Sequence, residues 1–480
     1  MASLSTPDLC VIGAGASGIA VAEAARRLGA TVTMVERGPL GGSNVRSGAL
    51  ALRALAAAAE RTALAITSPP FGVFPEEAPK VSFRKVHDHI AEVLSRGAAQ
   101  FGAPRLTALG IELVKGTAAF SDPRTVKVGS DAIIQARRFV IASGARSTLP
   151  EIPGLYSVPY FTTDTIFDNT RKLTHLVIAG AGPMGLELAL SYNRLGCEVS
   201  VIEPGKALAH VDPELAEIAL RRLRDEGVKL YEESSIIAVQ ARSQGIGVMV
   251  RAKDDQLSLD ASHILVAASR AANIDELNLD AAKIRRSKSD PGALSLNQSL
   301  RTTNPKVFAV GEAAGHAPLP HLSAMEADLV VRAALLNQPL RYDPAAVPRL
   351  TLTDPPIAEI GLSEPMARGR FKTGFNVLRV SYAENDRARA DRAGMGVVKL
   401  IVSRSGKILG AGIVGSGAGE LASVLAFAIA RGFAVAQLAE LTAPHPSYVD
   451  LLRTLGEQAL KDSPKLKRLS QALRLNRLLP

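Results

Sequence analysis

Two stretches of the chain share one pattern: DLCVIGAGASGIAVAEAARRLGATVTMVER, from Asp8 to Arg37, and THLVIAGAGPMGLELALSYNRLGCEVSVIEP, from Thr174 to Pro204. Each is an apolar strand, a Gly-x-Gly-x-x-Gly turn, a helix rich in Ala and Leu, and a second strand ending in glutamate. The glycines are Gly13, Gly15 and Gly18 in the first copy and Gly180, Gly182 and Gly185 in the second. The closing acids are Glu36 and Glu203, each 23 residues past the first glycine of its copy. One such turn is an ordinary strand-to-helix junction, whereas two with identical spacing mark an internal duplication.

The residue types fit one chemistry. Glycine permits the tight turn and lets backbone N–H groups approach a pyrophosphate, to which the helix N-terminus presents partial positive charge. An acid at the end of the second strand accepts hydrogen bonds from ribose hydroxyls and repels a 2'-phosphate. Two dinucleotide sites are therefore expected.

At 480 residues the chain is too long for one core and suggests about three domains of roughly 150 residues. The formal charge of +10 raises the question of an acidic partner. With no tryptophan and 4% aromatics, stacking platforms for nucleic acid are not expected. Half of that charge sits in the last twenty residues, where Lys461, Lys465, Lys467, Arg468, Arg474 and Arg477 face only Asp462. Leu466, Leu469 and Leu473 recur there at helical spacing, so the tail is either a solvated terminus or a basic amphipathic helix able to touch an anionic membrane surface. The two cysteines, Cys10 and Cys197, both lie in apolar strand-like settings and read as buried small hydrophobes. No disulfide, signal peptide, membrane span or metal site is expected, and a reducing, cytoplasmic setting fits.

Between the two copies, Gly41 to Leu55 reads GGSNVRSGALALRAL. It resembles the segment GG-T-C-x-N-x-G-C-x-P-S-K-A-L of the class I pyridine nucleotide-disulfide oxidoreductases, the family of lipoamide dehydrogenase, glutathione reductase and mercuric reductase. On that frame Asn44 and Ala49 stand at the two sulfurs and Arg53 at the lysine. Neither an amide nor a methyl group can carry an electron pair, so the resemblance is to a member without the redox-active cysteine pair. Further segments follow in family order: VIASGARSTLPEIPG (Val140 to Gly154), TTNPKVFAVGEAAG (Thr302 to Gly315), LPHLSAMEA (Leu319 to Ala327), VPRLTLTDPPIAEIGLSEPMA (Val347 to Ala367) and TAPHPSYVD (Thr442 to Asp450). The resemblance spans about residues 8 to 465.

It implies an α/β fold with two Rossmann-like dinucleotide-binding domains, glutathione reductase-like, plus a C-terminal α+β dimerisation domain. The implied division is an FAD-binding domain in two parts (1–155 and 276–342), an NAD(P)-binding domain (156–275), a dimerisation domain (343–465) and a basic tail (466–480). Within the third domain, strand segments such as Val397 to Val402 before an apolar helix near Leu421 to Ala430 suggest a βαβ-type module. FAD is expected at Gly13, Gly15, Gly18, Glu36, Arg37, Gly42, Ser43, Ser143, Gly144, Gly311 and Glu312, where Glu312 replaces the family aspartate that binds the ribityl chain. The helix after Leu319 is implied to aim its N-terminus at the flavin pyrimidine edge. NAD(H), favoured over NADP(H) by Glu203, is expected at Gly180, Gly182, Met184, Gly185 and Glu203.

Four residues take the implied catalytic positions. Arg53 and Glu187 stand where the family places a lysine–glutamate pair beside flavin N5, so an ion pair between them is expected. His445 matches the acid/base histidine delivered across a homodimer interface, with Asp450 in place of the orienting glutamate. The resulting expectation is an oxidoreductase passing electrons from NADH through flavin to a small-molecule or protein acceptor other than a disulfide. The alternative is a nucleotide-binding paralogue without turnover, favoured by changes at Asn44, Ala49, Arg53 and Asp450 together. Mercuric ion reduction is disfavoured, since no cysteine lies near the C-terminus.

Overall fold

The computed structural model describes residues 3–461 and 464–477 apart from Asp131, Asp254 and Pro339. Its first unit is a five-stranded parallel sheet in the order Val307–Ala309, Arg138–Ile141, Leu9–Ile12, Val32–Glu36, Ile111–Lys115. Strand side chains alternate between faces, and both faces are covered. Leu9 and Val11 pack with Ile19, Val21 and Ala22 of the Ala16–Arg27 helix, and with the Leu322–Leu335 helix beyond. Cys10 and Ile12 pack the other way, against Phe120, Val126 and Phe139 beneath a smaller sheet.

The second unit repeats that plan. A parallel sheet runs Tyr160–Thr162, His263–Val266, His175–Ala179, Glu198–Ile202, Lys229–Tyr231. Leu176 and Ile178 face the Pro183–Arg194 helix, while Val177 faces the antiparallel sheet Ser234–Ala241, Ile246–Ala252, Asp255–Ala261. The Pro213–Asp225 helix shows how local sequence sets an element. Asp212 caps it by accepting from Glu214 N, Pro213 opens it, Leu215, Ala219, Leu220 and Leu223 form its buried stripe, and Arg222 and Arg224 sit in its last turn.

The third unit corrects one expectation. Its five strands, in the order Arg349–Thr351, Ile357–Gly361, Ile408–Val414, Val397–Ser403, Phe375–Ser381, pair antiparallel throughout, so the module is α+β, with no parallel βαβ crossover among the described residues. The Ala418–Ala430 helix buries Leu421, Ala422 and Leu425 against the sheet, joined by Leu451, Leu452 and Leu455 of the Asp450–Lys461 helix.

The tail forms the Pro464–Asn476 helix, with Leu469 and Leu473 exposed. Asp462 and residues 478–480 lie outside the described residues, as do the side chains of Lys465, Leu466 and Lys467. Among the described residues no helix is long and apolar enough to cross a membrane.

Candidate active site

The two glycine turns correspond residue for residue in their angles and bonds. Gly13 and Gly180 have φ of +107° and +112°, a region that disfavours any Cβ. A Cβ on Gly18 would lie 1.9 Å from Gly13 O, and one on Gly185 2.2 Å from Gly180 O, so each helix starts flush against its strand. The closing acids repeat the same bonds. Glu36 accepts from Ala14 N at 2.7 Å and Gly38 N at 2.6 Å; Glu203 accepts from Ala181 N at 2.8 Å and Gly205 N at 2.9 Å. Each carboxylate thus braces its turn.

Beside the first turn opens a cavity of about 710 Å³. Its wall brings together Gly15, Glu36, Arg37, Gly42, Ser43, Ser143, Gly144, Gly311 and Glu312, which are widely separated in the sequence. Gly13 and Ser143 also line a smaller hollow of about 250 Å³ next to it, at the Glu36 end. The Leu322–Leu335 helix presents its N-terminal residues Leu322, Ser323 and Glu326 to the same space. The residues present fit a dinucleotide: the Ser143 hydroxyl is buried on the wall without a partner among the described residues, and the turn leaves a cradle that side chains would fill. Met184, within the second turn just before Gly185, is half-buried and packed on the core beneath it.

Sequence reasoning missed the polar chain that joins Glu312, Asp164 and Ser47 of this cavity wall. Arg270 donates from Nε to Glu312 Oε1 at 2.7 Å and from Nη1 to Asp164 Oδ1 at 3.2 Å. Asp164 also accepts from Ser47 Oγ at 3.2 Å and from Ser147 Oγ at 2.7 Å. Burial works against the Asp164 charge, yet the Ser147 and Arg270 bonds prevail and hold its pKa below the ordinary value. Glu312, one methylene longer than the family aspartate, is therefore tied to a cation. Arg270 stands in VAASRAAN, where no motif announces it.

The stretch resembling the redox frame lies on the same wall. Asn44 sits in the Ser43–Val45 turn and Ala49 opens the Ala49–Ile66 helix, and both line the cavity. Cys10 and Cys197 are free, buried at 0% and 3% exposure, and belong to different units. Burial drives the Cys10 thiol far above its ordinary pKa and Cys197 up to about 11.

The expected Arg53–Glu187 pair is not formed. Arg53 turns outward to Glu60, two turns along its own helix, donating from Nη2 at 3.0 Å. Glu187 is 6% exposed and accepts from Leu352 N at 2.8 Å. Burial raises its pKa to about 7, against which the Leu352 bond works only in part. His445 and Asp450 do meet, Nδ1 to Oδ2 at 3.4 Å, with Asp386 3.8 Å from the other ring nitrogen. The imidazole is 68% exposed and faces outward from its own chain.

Two braced glycine turns, one above a large cavity, and a separate antiparallel unit define an oxidoreductase class built to hold two dinucleotides. Residues 7–333 match the pyridine nucleotide-disulphide oxidoreductase family and residues 347–455 its dimerisation domain. The chain belongs to this family, whose members are FAD-dependent oxidoreductases that work with a pyridine nucleotide. It is 30% identical to the mercuric reductase of Streptomyces lividans over 464 residues, 96% of this chain and 97% of that one. It is also 30% identical to the dihydrolipoyl dehydrogenase of Geobacillus stearothermophilus over 466 residues, 94% and 96% of the two chains. Among solved structures, LpdA from Mycobacterium tuberculosis shares the fold with a TM-score of 0.86 at 21% identity, over 95% of this chain and 99% of that one.

Proposed function

We propose that the chain takes two electrons from NADH and delivers them, through FAD, to an acceptor that is not a disulfide: a quinone, another small molecule or a redox protein. The observation that carries this reading is that Asn44 and Ala49 stand on the cavity wall while both glycine turns are complete. Burial of Cys10 and Cys197 in different units supports the absence of a dithiol relay. Bound in the cavity, FAD supplies two-electron exchange between nicotinamide and acceptor.

On this reading Gly13, Gly15, Gly18, Gly42 and Ser43 cradle the FAD diphosphate, Glu36 and Arg37 take its adenosine end, and Ser143, Gly144, Gly311 and Glu312 take the ribityl chain. Gly180, Gly182, Met184 and Gly185 receive the nicotinamide dinucleotide, and Glu203 favours NADH by repelling a 2'-phosphate. The chain works as a homodimer through its C-terminal unit. His445, oriented by Asp450, then serves the cavity of the second protomer. For a quinone, NADH yields a hydride, His445 yields the second proton and regains it from solvent, and the products are NAD⁺ and the quinol.

The test is reoxidation of the NADH-reduced protein by a panel of quinones, oxygen and lipoamide. A quinone or oxygen is expected to reoxidise it and lipoamide to be ineffective; robust lipoamide-dependent NADH oxidation overturns the reading. In the same assay His445→Ala slows reoxidation and leaves reduction by NADH unchanged, and equal loss in both half-reactions assigns His445 a structural role instead. The second reading, a nucleotide-binding dimer without turnover, draws support from the outward turn of Arg53. Failure of NADH to reduce the bound flavin would favour it.

A further inference from the structure

The third unit grips the second at three points. Leu352 N donates to Glu187 in the Pro183–Arg194 helix. At the far end of that helix, Arg194, 6% exposed, reaches Asp354 at 2.5 Å. The third grip is a buried charge. Lys399 Nζ, 4% exposed on the Val397–Ser403 strand, lies 2.9 Å from both Asp212 oxygens and 2.8 Å from each of Glu214 and Glu364.

That cluster is specific in its geometry. An ammonium has three donors, and here three carboxylates surround it. Asp212 caps the Pro213–Asp225 helix, and its backbone N–H is held by Glu359 of the third unit at 3.0 Å. Beside it Leu215 fills a notch over Gly412, where a Cβ would lie 2.5 Å from Leu215 Cδ1. From the surface, Arg379 bridges Glu214 at 3.0 Å and Glu364 at 2.8 Å. Domain contacts within a chain are commonly polar and mobile. A buried ammonium loses its partners if the units slide, so one arrangement is fixed.

We infer that the C-terminal unit, beyond dimerisation, sets the pose of the second dinucleotide unit, with Lys399 as the positioning residue of the clamp. The inference rests on the reading that residues 174–203 bind the nicotinamide dinucleotide. The clamped elements are the helix whose N-terminus closes the second glycine turn and the helix that follows Glu203. Hydride transfer is sensitive to displacements of about 1 Å, so loosening this clamp affects the reaction before it affects FAD.

The test uses the full-length FAD-loaded protein with Lys399→Met and, as a variant on the surface, Arg379→Gln. Lys399→Met is expected to slow flavin reduction by NADH about tenfold or more while the FAD dissociation constant changes by less than about twofold. Arg379→Gln, on a half-exposed side chain, shows the same split at about two- to threefold. Hydrogen exchange accelerates in 183–194 and 213–225 but not in 16–27. Equal losses in FAD affinity and reduction rate, or unchanged rate and exchange in the folded variants, overturn the inference. If Lys399→Met does not fold, Arg379→Gln decides by the same criteria. If the wild type is not reduced by nicotinamide at all, the functional reading fails and the exchange pattern alone decides the clamp.

Discussion

The first and second glycine turns have one skeleton and different surroundings. Gly15 and Gly182 occupy the same place, yet Gly15 is bridged to Gly41 and crowded by Gly42, whose Cβ would lie 2.8 Å from Gly15 Cα. Around Gly182 a Cβ would meet nothing within 4 Å. The helix leaving the first turn carries Ala20, and the helix leaving the second carries buried Glu187 at the same step. The duplicated pattern therefore dictates the turn, while the third element packed on it decides its use. Residues 41–49 and 311–326 wall the first into a cavity, and the segment around Leu352 braces the second from behind.

The largest expected effect probes that asymmetry. Gly42→Ala places a Cβ at φ +63° and against Gly15 Cα, which costs roughly 2–5 kcal/mol from left-handed strain and overpacking. Gly182→Ala, extended at a helix N-cap, costs less than about 1 kcal/mol. Urea denaturation of both variants checks the contrast, and equal losses would mean the turns are alike in their surroundings too.

Glu187 sharpens the comparison through pH. Its folded pKa of about 7 lies above the ordinary 4.5, so between those values the folded state holds the extra proton. This contribution is full below pH 4.5 and fades as pH rises through about 7. It amounts to on the order of 3 kcal/mol. Glu187→Gln should remove this fall in stability between pH 5 and 8. Parallel pH profiles for wild type and variant would show that Glu187 does not titrate there.

The smallest effect belongs to Arg53. Its bond to Glu60 joins two substantially exposed side chains and contributes less than about 0.5 kcal/mol, so Arg53→Met should leave urea stability nearly unchanged. A drop of several kcal/mol would reveal a buried partner for Arg53.

Much of this was legible in sequence because its causes are local. A glycine that must start a helix against its own strand cannot be replaced quietly, so both turns and both closing acids could be read from spacing. The residues gathered on the cavity wall followed from the family resemblance. Arg270 with Glu312 and Lys399 with Asp212 were not legible, because their partners lie 42 and 187 residues away and no turn or period marks them. The partner of Arg53 was misread because a frame fixes position along a helix but not which neighbour a long side chain selects. The antiparallel third sheet was misread as βαβ-type because strand periodicity carries no direction.

Electron passage through this chain without a thiol pair is open to anaerobic titration of the FAD-loaded protein with NADH, followed by thiol counting in the folded state. Full bleaching of the flavin at about one NADH per FAD and no newly reactive thiols are expected. Uptake of a second NADH per FAD together with titratable Cys10 or Cys197 would contradict it.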